Sequence, residues 1–548
     1  MSVDPISLAL STGAIALALK GAIDTALFVE SFFDRDMISY GYLETCYSTE
    51  RVWLQIWRET CNVCENNDGI LQEKPEYLKK QVIHILNTVH DLSQDAKKMI
   101  DRYQIVAPET SVKDLNKVVK SGHPSQTKNV ADLRPNSRVR WIIKGRAEFE
   151  QIIRRFREQN RDLERLTLGP GARDGLASRV VSGIPESSLA GFAQGLHIVP
   201  KTNIALAASV KALQPSLENQ TLTSTQLMGE RLKMVGPQST RDSATGMLSL
   251  ADGSQAPVWI EWIILEDGQN SNTNAYISRI NSLGGLLERV GDPMLHLLPC
   301  HGVFRDTNYQ QKYGILRLGY VFGVPQGNDY ESDLVESPPI SLRQLIDGSN
   351  DTDNRGRLPR PFLGDRFLLA YDLAASFGLF HAAGWLHKGL HAGSVTFLQR
   401  STQRSSAIEL RDPFVTGFQY SRPQSSESLS RGPLENKDLD YYYHPDVGRG
   451  FTKRRDLYGL GVILLEIGRW GLIADAVSER NRPQDRQAWH TFLMKKAVPD
   501  VGWRMGERYE KVVRVLLECK LPGDEHDKDF YFQQFQERVL EPLSSCSA

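Results

Sequence analysis

The stretch that most constrains the fold lies past the middle of the chain. An apolar run, Phe367–Ala382, sets Leu368, Leu369, Leu373, Ala374, Phe377 and Phe380 at helical spacing. Directly after it comes Trp385-Leu386-His387-Lys388-Gly389-Leu390-His391-Ala392-Gly393-Ser394-Val395-Thr396-Phe397. This order predicts a buried helix, a loop carrying two histidines and a lysine, in which the basic pair Lys388 and His391 is expected to be solvated, and then a short apolar strand. Farther on, Arg455-Asp456-Leu-Tyr458-Gly-Leu460-Gly461-Val-Ile-Leu-Leu-Glu466 predicts a second, almost wholly apolar helix. Upstream, Val258-Trp-Ile-Glu261-Trp-Ile-Ile-Leu265 is β-branched and aromatic and predicts a buried strand.

These elements do not account for the whole chain. At 548 residues it exceeds one ordinary core, so two or three domains are expected. With 41% hydrophobic and 24% charged residues the composition is that of globular protein. A net charge of −1 favours neither nucleic acid nor an anionic membrane, and no nucleic-acid partner is expected. Six cysteines in so long a chain do not make a disulfide framework, so a cytoplasmic, reducing location is expected. Cys61-Asn-Val-Cys64 is a lone C-x-x-C without a second pair at ligand spacing. It reads as two helix-borne thiols, and no metal is expected.

The amino terminus is the second informative region. Between Asp4 and Lys20 there is no charge, and Ile6, Leu8, Leu10, Ile15, Leu17 and Leu19 alternate with small residues. Asp4, and the lack of an early Lys or Arg, argue against a signal peptide. As a helix the uncharged run covers about 22 Å, short of a hydrocarbon core of about 30 Å. Two readings remain: a helix buried in a bundle, or a helix that is buried in one state and enters lipid in another. Val82, Ile83, Ile85, Leu86, Val89 and Leu92 predict a further helix. Residues 107–136 are rich in Pro, Ser, Lys and Asn and read as a loop. Phe149, Ile153, Phe156 and Leu163 then form one seam of a long amphipathic helix, with Asn160 in the same seam. Its outer face carries Arg154, Arg155, Arg157, Arg161 and Arg165, expected to be solvated. From Thr167 to about Gly229 a connector is expected, beginning with a Gly-rich linker, Gly169-Pro-Gly-Ala-Arg-Asp-Gly175.

The apolar first helix, Gly21-Ala-Ile-Asp24 with Phe28–Phe33, and the closing pattern R-W-x-x-K…F-E-x-x-I-x-x-F-R-x-x-N-x-x-L at Arg140–Leu163 resemble the HeLo domain. This is the helical amino-terminal domain of fungal, HET-S-like prion-inhibition and propagation proteins, and the resemblance covers roughly residues 1–168. It implies an all-α bundle held inactive until a signal exposes the first helix, which then permeabilises membrane. Ile6, Leu8, Leu10, Ile15, Leu17 and Leu19 are the membrane-directed positions. The chain ends without Asn/Gln-rich repeats, so amyloid-templated triggering is not expected.

From about Gly229 onward the chain resembles the protein-kinase fold. His387-Lys388-Gly389…Ser394 falls on the kinase pattern H-R-D-L-x-x-x-N, and Arg455–Glu466 resembles S-D-V-Y-S-L-G-V-x-L-x-E. Gly389 stands at the catalytic Asp and Ser394 at the metal-binding Asn. Glu261 stands at the phosphate Lys of V-A-I-K. Gly417, before Phe418, stands at the Asp of D-F-G. Phosphoryl transfer needs a positioned base and cations on the developing charge, and four of the matching groups are missing. The resemblance therefore implies an α+β bilobal pseudokinase, not an enzyme, with His387, Phe418 and Asp456 in structural roles. No cofactor is expected, a bound nucleotide included. The domain plan is a HeLo-like bundle at 1–168, a linker with brace helices at 169–228 and a kinase-like domain at 229–548. The function expected is a cell-death or incompatibility effector whose bundle self-associates and moves from cytoplasm to plasma membrane when an upstream partner engages the pseudokinase. The alternatives are a soluble scaffold without membrane activity and an atypical active kinase.

Overall fold

A computed structural model of the chain describes residues 13–30, 41–65, 67–102, 145–185, 189, 202–235, 243–265, 273–325, 330, 334, 337–350, 358–399, 410–423, 437–522 and 528–548. The predicted membrane-directed positions Ile6, Leu8 and Leu10, and the predicted loop at 107–136, lie outside them. Two compact units are present: Met1–Gly169 with Gly183–Ile198, and Pro170–Ser182 with Val199–Ala548.

The first unit is helical: α1 (Ala14–Glu30), α2 (Gly41–Thr60), α3 (Glu76–Arg102) and α4 (Arg146–Thr167). On α4 the predicted seam is the buried one. Phe149, Ile152, Ile153, Phe156, Asn160 and Leu163 face inward, and Tyr47 of α2 packs its ring 5.8 Å from Phe149 and 5.6 Å from Phe156. One predicted surface residue does not belong to the outer face. Arg157 turns inward, where its Nε donates to Glu50 Oε1 at 2.6 Å. Asn160 Nδ2 completes the node by donating to the Glu50 carbonyl at 3.0 Å and to Oε2 at 3.1 Å. A carboxylate enclosed between two helices needs such partners, because burying an unpaired charge costs several kcal/mol. The C-x-x-C pair is also not helix-borne as expected: α2 ends at Thr60, with Cys61 buried and Cys64 exposed in the hairpin that follows.

The second unit opens with a correction to the sequence reading. The Gly-rich segment expected to be a linker is the start of a helix, α5 (Pro170–Gly183). Proline fits the first helical position, where its missing N–H is no loss. The glycines serve close approach: a Cβ at Gly171 would come within 2.6 Å of the Glu541 backbone. Arg179, buried on α5, donates to both oxygens of Asp529 at 2.8 and 3.1 Å. Lys211 on α6 (Asn203–Glu218) closes the helix end by donating to the carbonyls of Val181 and Ser182 at 2.9 and 2.8 Å.

A six-stranded sheet follows: β1 (Gln226–Leu227), β2 (Leu232–Met234), β3 (Ser243–Ser249), β4 (Gln255–Leu265), β5 (Cys300–Arg305) and β6 (Leu316–Gly323), in the order β1-β5-β6-β4-β3-β2. Among the described residues of this sheet, β1–β5 is the one parallel pair. β6 is buried along its whole length, as a central strand covered on both faces must be. The helix α7 (Thr273–Val290) follows β4 in the chain.

Beyond the sheet the unit is mainly helical. It contains a short strand β7 (Ile340–Ser341), then α8 (Leu363–Ala382), β8 (Trp385–Leu386), β9 (Val395–Phe397), β10 (Phe414–Val415) and β11 (Arg422–Pro423). The helices α9 (Lys453–Arg469), α10 (Val498–Met505), α11 (Glu507–Leu517) and α12 (Lys528–Phe535) follow. α9 is buried without interruption from Asp456 to Gly468, and α8 is buried on most of its circumference, although Leu368 faces out. Helices apolar on all sides form cores. Here they support the loop between β8 and β9.

Candidate functional site

The loop predicted from the sequence is tied down by one carboxylate. Asp456, in the first turn of α9, is 3% exposed. Its Oδ2 accepts the His387 N–H at 2.9 Å and its Oδ1 the Lys388 N–H at 2.8 Å. His381 Nε2, from the last turn of α8, lies 3.1 Å from Oδ2. Burial pushes this carboxyl up, but the hydrogen bond and charge of His381 and the His387 N–H outweigh it and hold the group below the usual range.

His387 is a fixed, neutral imidazole. Its Nε2 lies 2.8 Å from the Thr416 carbonyl, which can only accept, so Nε2 carries the proton and Nδ1 accepts the Gly389 N–H at 3.3 Å. Burial lowers its pKa, with Asp456 and Thr416 opposing in part. Phe418 packs against this ring with centroids 5.1 Å apart, and against Trp385 at 5.4 Å.

Lys388 adopts a left-handed backbone (φ 66°) that sends its side chain under the loop. The amine lies 5.2 Å from the Phe451 ring centroid. It is brought down to about 7, first by burial and then by the nearby Arg279 and Arg422 charges, with Asp456 opposing. The sequence reading had the Lys388 and His391 pair solvated; Lys388 is instead 1% exposed, and His391 Nδ1 accepts the Gly393 N–H at 3.0 Å.

Gly389, Ser394 and Gly417 lie in or beside this loop, and Glu261 lies on the sheet. Ser394 spends its hydroxyl on the loop itself, accepting the His391 N–H at 2.9 Å and donating to the His391 carbonyl at 2.8 Å. Gly417 is left-handed (φ 81°), and a Cβ there would lie 3.0 Å from that of Ser394. Gly389 offers no side chain, and one at its position would meet the Tyr420 ring at 3.2 Å. Glu261 sits on β4 opposite Tyr320 of β6. There its charge, after burial, helps raise the Tyr320 hydroxyl well above its ordinary value. What the arrangement does chemically is hold backbone in a defined shape. No cluster of three or more metal-ligating side chains occurs among the described residues.

A second site involves α1. Of the positions expected from the sequence to be membrane-directed, three are described: Ile15 and Leu19 are each 1% exposed and pack into the bundle, whereas Leu17 is 65% exposed. Leu27 and Phe28 also face outward. Sequence reasoning missed Asp68, which is 52 residues from its partner. Its Oδ1 accepts the Ala16 N–H at 3.1 Å and its Oδ2 the Gly13 N–H at 3.3 Å, capping α1 from outside. A cleft of about 320 Å³ lies alongside, lined by Leu17, Lys20 and Asp24 of α1 and by Arg58, Val63 and Glu65. Asp68→Ala is expected to weaken this first turn by about 1 kcal/mol. Native-state hydrogen exchange should show the Ala16 and Leu17 amides exchanging several-fold faster, with the α4 amides unchanged. His381 and Thr416 were missed as well. Only His381, at the end of a predicted helix leading into the loop, left a signal in the sequence.

The molecule is thus a helical unit joined to an α+β unit with a strongly constrained loop. Residues 16–181 match the HeLo family model, described as prion-inhibition and propagation. Residues 308–540 match a model described as a domain of unknown function, DUF7580. No curated protein matches the chain. The first match supports the HeLo resemblance of the amino-terminal region. The second carries no statement of activity.

Proposed function

We propose that the protein is a cell-death or heterokaryon-incompatibility effector of the fungal HeLo type, in which a kinase-like unit without phosphotransfer activity controls a membrane-directed helical unit. The HeLo match over residues 16–181 carries the reading. Support for an inactive kinase-like unit comes from the loop: the groups at Gly389 and Gly417 are absent, and that of Ser394 is bonded to its own backbone. No activity on Mg²⁺–ATP is expected.

The controlled element is α1. Its 17 residues span about 25 Å, and among the described residues no helix is long and apolar enough to cross a membrane. Its action is therefore interfacial: α1 leaves the bundle, oligomerising copies concentrate it at the plasma membrane, and its apolar side chains enter the boundary between headgroups and acyl chains. Ile15 and Leu19 prefer core or lipid equally well, so a modest bias from the second unit decides between them.

Because Leu17 is exposed, Leu17→Glu tests this without harming the bundle. The variant should melt like the parent and release dye from anionic liposomes at least about tenfold more slowly, because withdrawing one Leu side chain from the apolar phase forfeits about 1.5–3 kcal/mol. Equal leakage would remove α1 from the membrane step. The burial of eight α1 residues favours a second reading, a scaffold whose first helix never leaves the core. Absence of leakage from both proteins would select it.

A further inference from the structure

Three helix ends of the second unit meet at one surface: the start of α8, the end of α9 and α10. Arg366 of α8 lies over the ring of Trp470, the residue that ends α9, with its guanidinium carbon 5.6 Å from the ring centroid. Arg469, beside it, pairs with Asp500 of α10, as does Arg504, whose Nε is 3.1 Å from the same carboxylate. The positive charges of Arg360 and Arg504 both act on Arg366. Next to Arg504 stands Trp503, 90% exposed, and at the α8 N-cap stands Phe362, 83% exposed.

Large aromatic rings this exposed on an otherwise well-packed unit are not core residues that failed to find a place. The core beneath them is closed: Phe367, Tyr509, Val501 and Met505 are buried. Arg504 follows Trp503 directly, and Arg360 and Arg366 flank Phe362 in the chain. Asp500 is shared between Arg469 and Arg504, and with Asp365 in the first turn of α8 two carboxylates stand against the four guanidinium groups of Arg360, Arg366, Arg469 and Arg504, so the surface keeps a positive excess. Lys495 and Lys496, exposed just before α10, add to it. Aromatic rings at headgroup level together with basic side chains facing anionic lipid are how proteins attach to a membrane surface without spanning it.

We propose that this surface, built on Trp503, Phe362, Arg360, Arg366 and Arg504, binds an anionic lipid membrane. The attachment belongs to the second unit and goes beyond the proposed action of α1. It would hold the whole molecule at the bilayer on which α1 acts.

The test is sedimentation of the full-length protein with phosphatidylcholine vesicles, with and without phosphatidylserine. The protein should pellet with the anionic vesicles and not the neutral ones, and raising salt should release it. Each arginine is worth about fivefold in partition, so Arg360→Gln/Arg366→Gln should weaken binding by about twentyfold or more. Trp503→Ala/Phe362→Ala should also abolish most of the binding. Trp503 and Phe362 touch little, so an unchanged melting curve is expected for their variant. Arg366→Gln gives up the Trp470 ring and the Pro361 carbonyl, so binding of the arginine variant is compared at a temperature where its melting curve shows it folded. Equal pelleting of the double variants and the parent overturns the proposal, as does equal pelleting with neutral vesicles. Soluble polyglutamate bound as tightly as the anionic vesicles, and lost with Trp503, would mean an acidic protein partner and also overturns it. Leu17→Glu separates the two membrane ideas: vesicle capture retained with leakage lost supports both. Capture lost with Leu17→Glu but kept by the Trp503 variant leaves the α1 reading standing and removes this one.

Discussion

Asp456→Ala should destabilise the second unit by about 3–5 kcal/mol, the usual cost of removing one member of a buried charged network. Three donors meet this carboxylate, the N–H groups of His387 and Lys388 and the ring of His381. No water reaches them to replace it, as His387, Lys388 and His381 are each no more than 2% exposed. The left-handed backbone of Lys388 is one of the conformations that persist only when the surroundings hold them. Without Asp456 the β8–β9 loop should relax, and Phe418 should lose its seat against His387. Asp456→Asn should fall between, because one oxygen still accepts while the amide nitrogen faces a donor. Denaturant unfolding followed with a probe in the second unit measures the difference. A loss below about 1 kcal/mol for the alanine variant, the value of one ordinary hydrogen bond, would show that Asp456 does not organise the loop.

The second large effect belongs to the helical unit. Glu50→Ala should cost about 3–5 kcal/mol by leaving Arg157 and Asn160 facing a gap between α2 and α4. The penalty arises mainly from the uncompensated Arg157 charge. A double variant, Glu50→Leu with Arg157→Leu, should therefore recover much of the loss, since apolar replacement of a whole buried pair is often neutral or stabilising. Thermal unfolding of the three proteins decides it. If the double variant is less stable than Glu50→Ala alone, the charge argument fails and packing volume is the cause.

Much of this was legible in the residues. The seam of α4, the strand at Val258–Leu265 and the two apolar helices α8 and α9 follow from spacing, because local periodicity decides which side of an element is apolar. The loop from His387 to Ser394, with Asp456 behind it, was readable as a motif. The candidate site was less legible. Arg157 looked like its solvated neighbours, Lys388 looked exposed, and nothing near Asp68 hinted at a helix 52 residues away. The Gly-rich stretch at Gly169–Gly175 carried loop chemistry by every local rule, and only the nearness of the Glu541 backbone shows why a helix needs glycine there.

The sequence by itself determined the α4 seam, the strand at Val258–Leu265, the helices α8 and α9 and their apolar faces, because each depends only on residue type and on neighbours a few positions away. The tertiary structure alone decided that α5 packs with the second unit, that Asp68 caps α1, and that Ile15 and Leu19 are enclosed while Leu17 faces out. It also brought exposed aromatic rings and arginines together at one end of the second unit. The physical reason is the same in each case. A charge, a donor or an apolar surface takes whatever partner the folded chain brings within a few ångströms, and that partner has no fixed distance along the sequence.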